Sequence, residues 1–579
     1  MSERKLPAKL LLTAVLLVLT GCATAKPPVS VAKSAAPIRD MVATAHPLAT
    51  VAGRNALRAG GSAVDAVIAA QMVLTLVEPQ SSGIGGGAFL MHFAAKTGAI
   101  ESYDGRETAP ASAHPAMFLR ADGQPMKFFE AAVGGLGVGV PGVLKMLAMA
   151  HAEHGKLPWA KLFKPAIRLA ENGFPVSKRL SSLLKTERHL PRMPAARRYF
   201  YDANGEPKRL GAKLKNPALA AVFRRIAKDG PEAFYSGEIA RDIVQAVNTA
   251  GGAAGKYRGG MSLADLASYR AKKRAPVCMA YRKWQVCGMG PPSSGGATTL
   301  QILGLLERFD LAALKPASSR AVHLISEASR LAFADRNLYL ADSDFVPVPI
   351  KGLLDRGYLT RRSWEILLDR AGGIRAPGAP NGMTAEFSAP DSDEKGLSTS
   401  HLSIVDGDGN AVAMTTSIEN AFGSRVMVRG FLLNNQLTDF SFRPEKNGRP
   451  VANRPDAGKR PRSSMAPTLV LDDRGRFVLA VGSPGGSRII GYVAKTLIAA
   501  LDWNLDLQAA VDLPNFVNRN GPIELERGTA LEELRPRLEA MGHKVVSFSR
   551  ASGIQAVRLS GTRLEGAADK RRDGLALGD

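Results

Sequence analysis

The sequence contains no zinc-finger spacing, no basic helix with heptads and no aromatic-basic RNA signature. Its formal charge of +24 therefore reads as a solvated basic exterior and not as a nucleic-acid site. It also lacks HExxH, a Walker loop and a GxSxG elbow, which removes zincin, P-loop and α/β-hydrolase chemistry. No internal repeat is evident. Two partial motifs mislead. Gly137-Val138-Gly139-Val140-Pro141-Gly142 fits a dinucleotide fingerprint by its letters, but a loop at 155–159 follows where a strand ending in an acid would be needed. His151 and His154 flank Glu153 near a helix end with no third ligand close in sequence, so they read as a solvated helix face. No metal and no cofactor is expected.

What is present is globular: 45% hydrophobic and 22% charged residues exclude general disorder. A chain of 579 residues exceeds one ordinary core and implies a large or composite domain. Glycine clusters at 83–87, 134–142 and 485–486, where backbone must turn sharply or approach a ligand.

The N-terminus reads as an export signal. Arg4, Lys5 and Lys9 precede the apolar run 10–19, which is too short to span a bilayer as a mature helix. Thr20-Gly21-Cys22 then resembles a bacterial lipobox, which makes 1–21 the leader and Cys22 the lipidated first mature residue. An ordinary signal peptide cleaved near Ala23 or Ala25 is the other reading. Both export the protein to the periplasm, and Ala23 after Cys22, in place of aspartate, favours an outer-membrane anchor. Residues 22–37, rich in Ala, Pro, Ser and Lys, form a flexible tether.

The other two cysteines lie in an alternating segment around Arg282-Lys283, a hairpin pattern. In that register Cys278 faces Cys287 at a non-hydrogen-bonded pair, with Cα atoms about 4.5 Å apart. A disulfide fits this spacing and an oxidising compartment favours it. Two free thiols are the alternative.

Helical periodicity marks 48–59, 63–76, 143–154, 159–171, 217–229, 239–249 and 318–341. Strand patterns mark 87–93, 278–287, 402–405, 411–417 and 478–481. The elements interleave without a regular βαβ repeat, which implies a layered α/β architecture. Residues 375–398 are polar and rich in Pro and Gly and read as an exposed linker.

A strand begins directly after that linker. Thr399-Ser400-His401-Leu402-Ser403 and Ala411-Val412-Ala413-Met414-Thr415-Thr416-Ser417 flank Asp406-Gly407-Asp408-Gly409-Asn410, a hairpin signal. Centring the turn on Asp408 sets Thr399 opposite Ser417. A threonine hydroxyl needs a base to become a nucleophile. A cut before Thr399 would free an α-amine with a pKa of about 7.7–8.0, which can serve as that base near neutral pH. In the intact chain the same nitrogen is an amide, so the chain must first cleave itself between Ser398 and Thr399.

Eight segments, in order, resemble the γ-glutamyltransferases (glutathione hydrolases) of the Ntn-hydrolase superfamily. They are Gly60-Gly61-Ser62-Ala63-Val64-Asp65-Ala66, Gly83-Ile84-Gly85-Gly86-Gly87, Gly139-Val140-Pro141-Gly142, Pro291-Pro292-Ser293-Ser294-Gly295-Gly296, Thr399-Ser400-His401, Asn434-Asn435-Gln436, Arg462-Ser463-Ser464-Met465 and Gly482-Ser483-Pro484-Gly485-Gly486-Ser487-Arg488. The resemblance implies an αββα Ntn-hydrolase sandwich, one composite domain formed by a large subunit (38–398) and a small catalytic subunit (399–579) after self-cleavage. It implies Thr399 as nucleophile and Gly485 and Gly486 as the oxyanion hole. Arg106, Ser463 and Ser464 would hold a substrate α-carboxylate, and Gln436 and Asp439 an α-amino group. The substrates implied are glutathione and related γ-glutamyl compounds, with water, amino acids or peptides as acceptors. The two subunits are each other's partners, and the membrane is touched only through the lipid anchor.

Three departures from the family pattern bear on specificity. Ser417 replaces a common threonine, and Glu419 replaces a common asparagine while remaining able to bind an ammonium. Residues 443–459 contain no Tyr, Phe or Trp, so an aromatic lid is not expected and an open site would suit bulkier groups. A cephalosporin-acylase-like amidase on the same scaffold is therefore the competing function, and a non-catalytic periplasmic binding lipoprotein is a third.

Overall fold

Residues 39–251, 257–383, 398–549 and 552–579 are described by a computed structural model of the chain. The predicted leader, Cys22 and the tether lie outside these residues, as does 384–397 of the predicted linker.

Thirteen strands build two central sheets. In chain order they are β1 (Met41–Thr44), β2 (Gly87–Ala94), β3 (Ala99–Gly105), β4 (Lys272–Arg274), β5 (Val277–Tyr281), β6 (Trp284–Gly288), β7 (Ser400–Val405), β8 (Ala411–Ser417), β9 (Thr468–Leu471), β10 (Phe477–Gly482), β11 (Gln555–Ser560), β12 (Arg563–Ala568) and β13 (Leu575–Gly578). The first sheet runs β13-β1-β7-β8-β2-β3-β4 and the second β12-β11-β10-β9-β6-β5. The helices that matter to the site and its supports are α1 (Pro47–Arg58), α2 (Ala63–Val77), α3 (Val143–His154), α4 (Gly295–Leu306), α5 (Ser319–Tyr339) and α6 (Ile489–Leu501).

Strand alternation sorts the first sheet's side chains into two cores. Leu402, Ile404, Val412, Met414, Ala88 and Leu90 pack with α1 and α2. Val405, Ala411, Ala413, Phe89, Met91 and Phe93 face the second sheet, in a core shared with Leu479, Val481 and Val557 and with α4 and α6. The layering is helix, sheet, sheet, helix, as the resemblance implied. Helix α2 is buried along its whole length, which suits a helix apolar on every side. It starts with a capping box, Ser62 accepting from Asp65 N–H while the Asp65 carboxylate accepts from Ser62 N–H.

The 399–417 hairpin has the register read from its turn. Ser400 pairs with Thr416 and Val405 with Ala411, enclosing the five residues 406–410. Asp406 organises that turn by accepting from the backbone N–H groups of Asp408 and Asn410. Next along the sheet, Ser417 pairs with Gly87 of β2. In the second sheet Cys278 pairs with Cys287 and the two are joined as a disulfide, Cα atoms 4.1 Å apart; the free-thiol alternative is set aside.

One expectation is corrected. His151 and His154 do not form a solvated helix face. His151 Nε2 lies 2.9 Å from the Leu157 carbonyl oxygen and 3.4 Å from the Asp65 carboxylate. His154 turns inward onto His92 and Glu101. The Asp65 and Glu101 carboxylates draw the two rings inward, and no sequence pattern shows that β2 and β3 lie beneath this helix end.

Candidate active site

Thr399 immediately precedes β7, and three segments far apart in sequence fix the backbone around it. Ser398 N–H donates to the Glu419 carbonyl at 3.0 Å. Its hydroxyl donates to the Gln80 carbonyl at 2.7 Å and lies 3.1 Å from Ser81 Oγ. Arg572 Nη1 donates to the Thr399 carbonyl at 3.0 Å. Burial pushes the Arg572 guanidinium down to about 9, yet it keeps this bond and another to the Ser552 carbonyl. The 398–399 peptide is thus held on both sides.

The hydroxyl chemistry is concentrated at the same point. Thr399 Oγ1 lies 3.2 Å from Ser417 Oγ. Ser417 Oγ donates to the Ser398 carbonyl oxygen at 2.9 Å and accepts from Glu419 N–H at 2.9 Å. The glycine at 86 explains how the loop before β2 comes so near: a Cβ there would stand 2.1 Å from the Ser417 carbonyl oxygen.

A narrow cavity of about 50 Å³ opens on these atoms. Its lining includes Thr399, Ser417, Glu419, Gln436, Asp439, Arg106, Ser463, Ser464 and Gly486. Arg106 is fully buried and spends its donors in fixed directions: Nε to the Pro461 carbonyl at 3.0 Å, Nη2 to the Arg462 carbonyl at 3.2 Å and to Asp439 Oδ2 at 2.5 Å. Gln436 Nε2 donates to the same Asp439 oxygen at 2.8 Å. Glu419, in a left-handed conformation with φ 78°, accepts from Asn435 Nδ2, while its other oxygen has no protein partner. Burial, reinforced by the Asp439 charge, raises the Glu419 carboxyl well above the usual carboxylate range.

The serine-pair side of the cavity is built from two motifs pressed together. Ser294 N–H and Oγ both donate to the Ser463 carbonyl, at 2.8 and 2.6 Å. Gly295 permits the contact, since a Cβ there would meet the Met465 carbonyl oxygen at 2.3 Å. Gly485 and Gly486 follow β10 with φ values of 140° and 61°, conformations that favour glycine.

Residues 49–578 match the sequence profile of the Gamma-glutamyltranspeptidase family. The chain belongs to this family. It is 37% identical over 551 residues to a glutathione hydrolase proenzyme of Bacillus subtilis, covering 93% of this chain and 91% of the relative. It is 36% identical over 556 residues to the acylase ACY 1 proenzyme of a Pseudomonas species, covering 94% of each. Among solved structures, cephalosporin acylase from Bacillus halodurans superposes with a TM-score of 0.80 at 28% identity, covering 93% of this chain and 96% of that one. The fold is thus the Ntn-hydrolase sandwich, and membership of the family makes the chain an enzyme.

The site gathers the candidates drawn from the family motifs, except that Gly485 stands behind Gly486, facing Tyr492. Sequence reasoning missed several contributors. Arg336, near the end of α5, donates to Ser464 Oγ at 2.7 Å and to Ser294 Oγ at 2.9 Å. Arg462 and Phe440 also line the cavity, Phe440 being the one aromatic among its described lining residues, and none comes from 443–459. Arg572 belongs to the C-terminal segment. Arg462 opens one of the quoted motifs and Phe440 directly follows Asp439, and that placement was a usable signal. Arg336 and Arg572 carried none.

Proposed function

We propose that this enzyme is a self-processing γ-glutamyltransferase and glutathione hydrolase with Thr399 as nucleophile. The observation that carries this reading is the pairing of a poised hydroxyl with a doubly acidic pocket. Thr399 Oγ1 and Ser417 Oγ meet beside the Ser398 carbonyl, and Glu419 and Asp439 face the same cavity as Arg106 and the serine pair. A γ-glutamyl group ends in one ammonium and one carboxylate, and this cavity has groups for both.

Processing comes first. Thr399 Oγ1 attacks the Ser398 carbonyl carbon, the peptide nitrogen leaves as the Thr399 amine, and water hydrolyses the resulting ester. Ser417 Oγ donates to the carbonyl oxygen as it gains charge. This yields a large subunit ending at Ser398 and a small one beginning at Thr399. In turnover the new α-amine takes the proton from Thr399 Oγ1, which attacks the γ-amide carbonyl of the donor. Gly486, which lines the cavity, offers its N–H to the oxyanion, a contribution of about 2.7–4 kcal/mol. The amine leaves with a proton, and a γ-glutamyl ester remains on Thr399. Water releases glutamate, or the amine of an amino acid or peptide takes the acyl group. No cofactor enters any step.

The acylase reading has a relative and a structural neighbour so named. A glutaryl group, however, lacks the ammonium and would leave the free Glu419 oxygen without a donor, which is unfavourable in a buried site. We further propose export to the periplasm with a lipid anchor at Cys22, favouring the outer membrane, on the strength of the N-terminal sequence alone.

Intact-mass measurement of the wild type beside Thr399→Ala tests the class. Two fragments meeting at Ser398 and Thr399, absent from the variant, are expected; a wild type that stays whole refutes it and favours a binding lipoprotein. Turnover of a γ-glutamyl anilide faster than a glutaryl amide is expected, and the reverse order selects the acylase.

A further inference from the structure

At the other end of β2 from the nucleophile, a second cluster has no part in this chemistry. His92 and Glu101 are paired across β2 and β3, and His154, the last residue of α3, leans over them. One ligand-capable atom from each of the three lies within 4.8 Å of the other two. His154 Nε2 is 2.5 Å from Glu101 Oε2, and His92 Nδ1 is 3.6 Å from the same oxygen. His92 is only 3% exposed, and its Nδ1 has no hydrogen-bond partner in the protein. A buried polar atom left unpaired costs about 1–3 kcal/mol, and this one faces the cluster. A cavity of about 560 Å³, walled in part by His92, Glu153 and His154, provides a path from solvent.

We propose that His92, Glu101 and His154 bind a transition-metal dication, with Zn²⁺ the best match to two imidazoles and one carboxylate. Two histidines and one glutamate form a known three-ligand zinc set, with the fourth position left to water. An outer layer is already in place. Tyr103 OH is 2.9 Å from His154 Nε2 and 3.1 Å from Glu101 Oε2, and it donates to Glu153 Oε2 at 2.9 Å. Lys273 Nζ lies 2.6 Å from Glu101 Oε1 and 2.5 Å from Glu153 Oε2, so its ammonium holds the place a dication would neutralise. With a side chain 42% exposed, it can swing away. The two imidazoles stack with centroids 3.9 Å apart and 25° between planes, so closing the metal set requires the His154 ring to turn. Its position at the exposed end of α3 leaves room for that.

The role is structural. His92 is five residues along β2 from Gly87, the partner of Ser417, or about 17 Å of strand. A metal here would tie α3 to two strands of the first sheet without touching substrate.

The test is calorimetric titration of the purified mature enzyme, stripped with chelator and dialysed, with Zn²⁺, and with Co²⁺ as the spectroscopic probe. One equivalent is expected, with a Zn²⁺-dependent rise in melting temperature and unchanged γ-glutamyl anilide hydrolysis. Tyr103→Phe should weaken binding about 10–100-fold and His154→Gln further. Lys273→Met, which removes the competing ammonium, should tighten it. His323→Gln, in the separate His323–His543 pair, should bind as the wild type does. A wild type that takes up no Zn²⁺, or equal affinity in the wild type, His154→Gln and Lys273→Met, overturns the proposal. Should His154→Gln fail to fold, the Lys273→Met affinity and the Co²⁺ spectrum decide.

Discussion

Arg106 and Asp439 hold each other across the floor of the active-site cavity, guanidinium to carboxylate at 2.5 Å. Sequence reasoning gave these residues to opposite ends of the substrate, one for its carboxylate and one for its ammonium. In the free enzyme they neutralise one another, which keeps the buried Arg106 charge paired. An arriving amino-acid head group, carrying both charges, can join this pair without leaving either partner alone.

Asp439→Ala should therefore act on stability as well as on binding. Loss of the partner leaves Arg106 uncompensated, at a cost of about 3 kcal/mol, and kcat/KM for a γ-glutamyl anilide should fall about a hundredfold. Arg106→Lys should be nearly as damaging, because an ammonium cannot reproduce bonds to Pro461, Arg462 and Asp439 in fixed directions. Melting curves and steady-state kinetics read both effects.

Ser417→Ala removes the donor on the Ser398 carbonyl. Processing should slow by about 10²–10³-fold, seen as accumulated full-length chain on a timed denaturing gel. Ser417→Thr, which keeps the hydroxyl, should process at close to the wild-type rate. Equal rates for all three would remove Ser417 from the reaction.

The Cys278–Cys287 bond closes a hairpin of sequence separation nine. A loop this short makes the bond worth about 2–3 kcal/mol in the chain-entropy account. Replacing both cysteines with serine should lower the melting temperature, and a reducing agent should lower that of the wild type but leave the double variant unmoved.

His401 supplies a pH dependence. It is buried between the sheets, beside Thr415 Oγ1 and Ser403 Oγ, and burial pushes it down to about 3 from an ordinary 6.5. The unfolded chain therefore binds a proton that the folded chain refuses between those values. The contribution is complete above pH 6.5 and is lost as pH falls toward 3. His401→Gln should show a shallower decline of melting temperature with acidification over that window than the wild type does.

Local chemistry made much of the fold legible. The 399–417 hairpin announced its register through its turn, and α2 announced its start through Gly60-Gly61-Ser62 and its apolar run. Strands β11 and β12 were missed because charged residues such as Arg558 and Arg563 interrupt their apolar alternation. Helix α4 was missed because it begins with Gly295 and Gly296, poor helix formers retained because the chain at Met465 and Met289 approaches too closely for a Cβ. In the site, the motif residues were legible and the clamps were not. Gln80, Arg336 and Arg572 reach it from 318, 128 and 173 residues away in sequence, and no local pattern encodes such meetings.

Strand β1 lies between β13 and β7, so the chain's first described strand is flanked on both sides by segments made later, one of them its last four-residue strand. The first sheet cannot close until β13 has been made. A chain cut short before β13 would lack the edge that holds β1, and the proposed cut should wait for that strand. Once the cut is made, each fragment contributes strands between those of the other. The halves are threaded through one another and can separate only by unfolding.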